Sequence, residues 1–136
     1  MLANKIVVVI DADAPIGVAL NAAALVGVAV GSHVPDMVGA EAQDAAGNRH
    51  PGMCAHPIPV LKAATDRLTQ LRDAAAAHPD VTVHDVNQVA QLSRTYDQYQ
   101  ATMAGTKPED LNYTALAIHG PRQSVDSLTG ALPLYR

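Results

Sequence analysis

Strands that alternate with helices over 136 residues predict one layered α/β domain, residues 1–136. Three observations carry that expectation. Ile6 to Ile10 is an unbroken β-branched run of strand length with no polar alternation, the pattern of a central strand covered on both faces. Ile16 to Val30 follows as a long segment whose only strongly polar side chain is Asn21. Beyond it, shorter strand-like runs at Ile58 to Lys62, Val81 to Val86 and Tyr113 to His119 are separated by stretches of helical periodicity.

Each element has a local reason. Asp11, Ala12 and Asp13 stop the first strand, and Pro15 suits the first position of a helix, where its missing N–H is not needed. A helix apolar on all sides is buried in protein or in a membrane. A span needs about 20 apolar residues; this run falls short, has two carboxylates at its start, and lacks the layout of a secretory signal. It is read as a core helix that Gly17, Gly27, Gly31 and its alanines bring close to a sheet, with no membrane involved. Ser32 to Pro57 is a long, glycine- and proline-punctuated connection, in which Val38 to Gln43 and the residues after Gly47-Asn48 predict a small hairpin. Connections of this length are uncommon and often functional. Prolines before Ile58 to Lys62 suit an edge strand. Thr65 is expected to cap a helix to Ala77 with Leu68, Leu71 and Ala75 inside, ended by His78-Pro79-Asp80.

In the third strand Val81 and Val83 share a face with Asp85, while Thr82 and His84 point the other way. Asn87 is expected to cap one helix whose stripe is Val89, Leu92, Tyr96, Tyr99 and Met103, closed by Gly105. A turn at Lys107 to Asp110, the fourth strand and a helix from Arg122 to Thr129, stopped by Gly130, complete the chain.

Composition removes some function classes. Phe and Trp are absent, so Val, Ile, Leu and Ala must fill the core as close-packed layers. The net charge is −4 and the nine Lys and Arg are scattered singly, without the basic patch that phosphate binding requires; nucleic acid is not an expected partner. Cys54 is the single cysteine, which excludes an internal disulfide and makes a reducing cytoplasm the expected compartment.

Specific runs resemble a known fold. A strand followed by a Gly-led, Ala-rich helix, and the ending Ala115-Leu116-Ala117-Ile118-His119-Gly120-Pro121 with Val125-Asp126-Ser127-Leu128-Thr129-Gly130, resemble type II peptidyl-tRNA hydrolases. Val9-Ile10-Asp11-Ala12-Asp13, His50-Pro51-Gly52 and Arg94-Thr95-Tyr96-Asp97-Gln98-Tyr99 more closely resemble an uncharacterised family of small bacterial proteins on that fold. The resemblance implies a three-layer α/β/α domain with a four-stranded mixed sheet. It also implies a homodimer, since such hydrolases often self-associate. The catalytic pattern departs from the enzyme's. Gly17 matches its glycine, but Val18 stands at the lysine, Ala22 at the glutamine and Leu25 at the histidine. Asp85 matches a later aspartate, and Thr95 is a distant counterpart of the threonine after it. Aliphatic side chains can neither hold a phosphate nor polarise an ester carbonyl, so peptidyl-tRNA hydrolysis is not expected.

The candidate site residues each carry two readings. Asp11 and Asp13 lie where a strand meets a helix N-terminus, a common ligand location; helix capping by Asp13 and a turn bond for Asp11 compete with cation binding or acid–base work. Asn21 either satisfies a buried backbone group or contacts a ligand. His50, Cys54 and His56 invite a metal reading, but the spacing matches no established zinc signature, so no metal and no cofactor are expected. Cys54 could also be a nucleophile paired with His50 or His56. Tyr96 and Tyr99 are core stripe residues or, with Asp85 and Asp11, the lining of a polar pocket. His119 is expected to bond a loop carbonyl. The function so predicted is a small-molecule or peptide binding module, with Asp11, Asp13, Asn21, His50, Asp85, Tyr96 and Tyr99 at its site. The alternative is a hydrolase using Asp85 as base or Cys54 as nucleophile; the missing reactive groups weigh against catalysis.

Overall fold

The computed structural model describes residues 3–136. In chain order these form β1 (Asn4–Asp11), α1 (Ile16–His33), β2 (Ala42–Gln43), β3 (Arg49–His50), β4 (Val60–Ala63), α2 (Thr65–Ala77), β5 (Thr82–Asn87), α3 (Gln88–Leu92), α4 (Tyr96–Ala104), a 3-10 turn (Pro108–Asp110), β6 (Tyr113–Pro121) and α5 (Arg122–Thr129). Four strands make a mixed sheet in the order β4-β1-β6-β5. β1 runs parallel to β4 and antiparallel to β6, which runs antiparallel to β5.

The two central strands are buried along nearly their whole length, as their unbroken apolar runs require. Alternate residues serve opposite faces. Ile6, Val8, Ile10, Ala115 and Ala117 pack with Ala19, Ala22, Val26 and Val30 of α1. Val7, Val9, Leu116 and Ile118 pack with Leu68, Leu71 and Ala75 of α2 and Val125 of α5. Helices therefore cover both faces of the sheet.

α1 departs from the expectation of a fully buried helix. Its length and composition would let it cross a membrane, yet it lies along the sheet and buries only one narrow stripe. Ile16, Leu20 and Val28 are 62%, 65% and 75% exposed. Gly17, Gly27 and Gly31 face outward with open space where a Cβ would stand, so alanines, not glycines, make the close approach. Pro15 sits one residue outside the helix, and no side chain caps it.

The predicted long helix after β5 is two. Asn87 caps α3 as expected, accepting from the N–H groups of Val89 and Ala90. Ser93 Oγ then donates to Val89 O at 2.7 Å, and Thr95 caps α4 by accepting from Gln98 N–H at 3.1 Å. Gln98 Oε1 reaches back to Arg94 N–H at 2.8 Å, a close relative of the capping box. Leu92 and Tyr96 flank this break and are exposed, so of the expected stripe Val89 is buried and α4 contributes no buried residue.

The long connection is an arm. Its two limbs pair at Val38 and Cys54, with Gly39 N–H donating to Met53 O and Ala55 N–H to Met37 O, both at 2.8 Å. A Cβ on Gly52 would lie 1.9 Å from Gly39 O, so the limbs close only because position 52 is glycine. β2 and β3 continue the pairing to a tip that Asp44 organises. Its carboxylate accepts from the N–H groups of Ala46 and Asn48 and from the Asn48 amide, and lies 3.0 Å from His50 Nε2. These bonds hold its pKa down at about 2. Met37 anchors the base of the arm in the α1-side core. The C-terminal tail lies on β4: Tyr135 N–H donates to Val60 O at 2.8 Å and Lys62 N–H to Pro133 O at 3.0 Å.

Candidate functional site

β5 puts Asp85 on the α2 side, where Arg72 Nε lies 3.4 Å from its carboxylate and the Arg72 guanidinium also covers the Tyr113 ring. Beyond this edge strand, α4 turns its first residues back toward α1. The result is an open cleft of about 360 Å³. Asp85, Ser93, Arg94, Thr95, Tyr96 and Tyr99 supply its polar lining, and Leu25 and Ala29 of α1 part of its apolar wall. The Tyr96 and Tyr99 rings are 5.4 Å apart and tilted by 49°. Burial, then the Asp85 charge, pushes the Tyr99 phenol above its usual pKa. Asp85, Tyr96 and Tyr99 line one concavity, without the Asp11 that was expected beside them.

The other candidates go elsewhere. Asp11 is buried; its carboxylate accepts from Asp13 N–H at 3.0 Å and from the Thr65 hydroxyl at 2.9 Å. Asp13 shares that hydroxyl at 3.2 Å and caps no helix. Thr65, in turn, is the first residue of α2 rather than its cap. The pair ties the β1 turn to α2 and lies outside the cleft. Asn21 is exposed on α1 and accepts from Gln91 Nε2 at 3.3 Å, so it satisfies no buried group. His50 belongs to the arm tip. Cys54 donates its thiol to His56 O at 3.2 Å, and His56 Nε2 lies 3.0 Å from Asp36 O, so the thiol is paired with neither imidazole. Among the described residues, no three His, Cys, Asp or Glu side chains gather as a metal site.

Sequence reasoning missed a second, larger cavity of about 600 Å³ just past the C-terminal end of α1. Lys5, His56, His119 and Arg122 enter its wall beside Val34, Met37 and three prolines. Lys5 Nζ is bonded to Asp126 at 2.6 Å. His119 lines the cavity, and among the described residues its ring bonds no loop carbonyl; burial and the neighbouring His56 push its pKa down. Between the two cavities His33 and His84 stack with ring centroids 5.0 Å apart. Among the described residues, His84 Nε2 is buried without a hydrogen-bond partner, and burial with the adjacent His33 lowers its pKa. The alternation of β5 and β6 could have placed His84 and His119 on one face; nothing local brings His56 to them.

Comparison with other proteins shows fold without activity. A protein of unknown function from Agrobacterium tumefaciens strain C58, Atu0240, has a solved structure that superposes with a TM-score of 0.91 at 18% identity, covering 100% of both chains. No curated protein matches the chain. A family model matches residues 4–136, and the chain therefore belongs to the family described as "Protein of unknown function (DUF2000)".

Proposed function

We propose that this chain is a small-molecule or peptide binding module whose site is the cleft beside β5. The convergence of Asp85, Tyr96 and Tyr99 on one open concavity carries that reading. Two tyrosines offer wide, stiff contact surface with a polar edge. Asp85 adds an acceptor, and Leu25 and Ala29 an apolar floor of the kind small-ligand sites use. The type II peptidyl-tRNA hydrolase-like fold belongs to the same proposal. In its support, Leu25, Asp85 and Thr95, three positions that the resemblance assigns to the hydrolase site, line this cleft together. Leucine at the histidine position leaves no group there to polarise an ester, so we read binding without hydrolysis. The hydrolase alternative has less support: Asp85 is engaged by Arg72, and Cys54 lies in the arm. A cytoplasmic setting, argued from the lone cysteine, completes the reading.

A thermal-shift screen of small molecules and short peptides tests it. Hits are expected to bind at least tenfold more weakly to Asp85→Asn or Tyr99→Ala than to the unaltered chain. Hits that bind both variants undiminished overturn the assignment.

A homodimer is a second reading, supported by the exposed apolar face of α1. Ile16, Leu20 and Val28 stand in water there, an arrangement monomers seldom keep over a large contiguous patch. Val28→Glu is expected to turn a dimer into a monomer in light scattering, and a monomer before the substitution removes the proposal.

A further inference from the structure

The four-stranded sheet ends in two edges, and the chain treats them differently. On β4 the tail closes the margin, with Leu134 bridging Leu61 between the two main-chain bonds to Val60 and Lys62. β5 is the other edge strand and, among the described residues, pairs with β6 alone.

Register decides which main-chain groups of β5 are left over. Along a strand, successive residues turn their N–H and C=O groups to opposite sides, so alternate residues serve each neighbour. Val8 N–H donates to Pro59 O and Ala12 N–H to Ala63 O, so the even-numbered residues of β1 face β4 and the odd-numbered ones face β6. Val7 and Val9 stand opposite Ile118 and Leu116, which therefore bond β1. Ala115, Ala117 and His119 are left to bond β5, and their partners there are Val86, His84 and Thr82. The N–H and C=O groups of Val83 and Asp85 thus point out of the sheet, and among the described residues nothing bonds them. Thr82 to Asp85 are exposed or half-buried, so this margin is a template for another strand.

The cleft opens beside the same stretch. Asp85 and Val86 form one side of it and Arg94 to Tyr99 another. α4 is tied in past the end of β5, where Asn87 Nδ2 donates to Met103 Sδ at 3.5 Å. A second sheet brought to this edge meets α4, whereas a single strand has the cleft to enter. Side chains of such a strand would alternate between the two faces. On the α1 face they meet Leu25, Ala29 and Val86; on the α2 face they meet Asp85 and Arg72.

We propose that the ligand of this cleft is an extended peptide that adds to β5 as a fifth strand. It exchanges main-chain bonds with Val83 and Asp85, and sets apolar side chains toward Leu25 and Ala29 and polar ones toward Asp85 and Arg72. The proposal rests on the cleft reading above and specifies its ligand. Repeating N–H and C=O groups are what the open edge lacks, and a peptide main chain supplies them in register; pairing then gives affinity and the alternate side chains specificity.

The probe is a blocked heptapeptide of alternating valine and threonine with a lysine added at each end. Calorimetry on the full chain is expected to show binding, and hydrogen exchange followed by NMR to show the Val83 and Asp85 amides becoming protected. Methylating the amides along one edge of the peptide should weaken binding at least tenfold, and along its other edge leave it. Val83→Pro removes an outward N–H without breaking a bond to β6, a place where an edge strand tolerates proline. It should weaken the peptide at least tenfold and leave small-molecule hits in the cleft untouched; if it folds poorly, the methylated peptides decide alone. Equal binding of both methylated forms, unprotected Val83 and Asp85 amides, or no peptide binding overturns the proposal. Protection that rises with protein concentration before peptide is added gives the edge to a second copy and overturns it as well. The two readings fail separately: small-molecule hits that need Tyr99 beside a peptide that does not bind leave the cleft standing and remove the strand.

Discussion

His84 and His119 lie on the α1 side of neighbouring strands, opposite Ala117 and Ile6 respectively. Burial is the first cause that lowers each pKa, and the neighbouring imidazoles add to it: His33 and His119 around His84, His56 beside His119. Asp85 opposes the shift at His84, and Lys5 and Arg122 share the cavity with His119. A ring whose folded pKa is depressed binds its proton less readily in the folded chain than in the unfolded one. Its contribution is therefore complete above the ordinary pKa of 6.5 and is lost as pH falls below that value toward the folded pKa. The thermal midpoint is expected to fall between about pH 7 and pH 5, and His84→Gln with His119→Gln should flatten that slope. An unchanged slope in the double variant would assign the acid response to other groups. Of these residues, the alternation of the strand made the facing of His84 legible, as it did for Asp85. The Thr65 hydroxyl on Asp11 was not legible, because 54 positions separate donor from acceptor.

At the level of elements, the apolar stripe from Val89 to Met103 proved a weaker guide than the polar residues that interrupt it. Ser93 and Thr95 offer the backbone local bonds that compete with a continuous helix. Thr95 with Gln98 three residues on is a helix-start signal inside the run, and it was present in the sequence. Thr95→Ala is expected to cost about 1 kcal/mol, the usual loss for a cap, measured as a lower urea midpoint. α1 shows the opposite error. Its composition indicates a helix that avoids water, but a stripe of four buried residues suffices against a sheet of alanine and valine. Its exposed glycines then serve no contact. Gly27 is helical with nothing within 4 Å of a Cβ, so Gly27→Ala should stabilise the chain by about 0.5–1 kcal/mol. Denaturation by urea reads that gain directly.

For the molecule as a whole, the alternation of strands and helices was legible, and so was the peripheral place of β4, from the prolines before it. The cavity of Lys5, His56 and His119 was not, since its wall joins four segments distant in sequence, and only the folded arm brings His56 there. The cleft was half legible: Asp85 and the tyrosines adjoin in sequence, whereas Leu25 arrives with α1. The tail lying along β4 has its own consequence. Without Pro133 to Arg136, Val60 O and Lys62 N–H lose their partners, and the sheet ends in a raw margin able to recruit a strand from another molecule. A chain cut after Leu132 is expected to turn cloudy with time and to take up thioflavin T at concentrations where the intact protein stays clear. Four residues at the rim would then be what keeps neighbouring sheets from fusing.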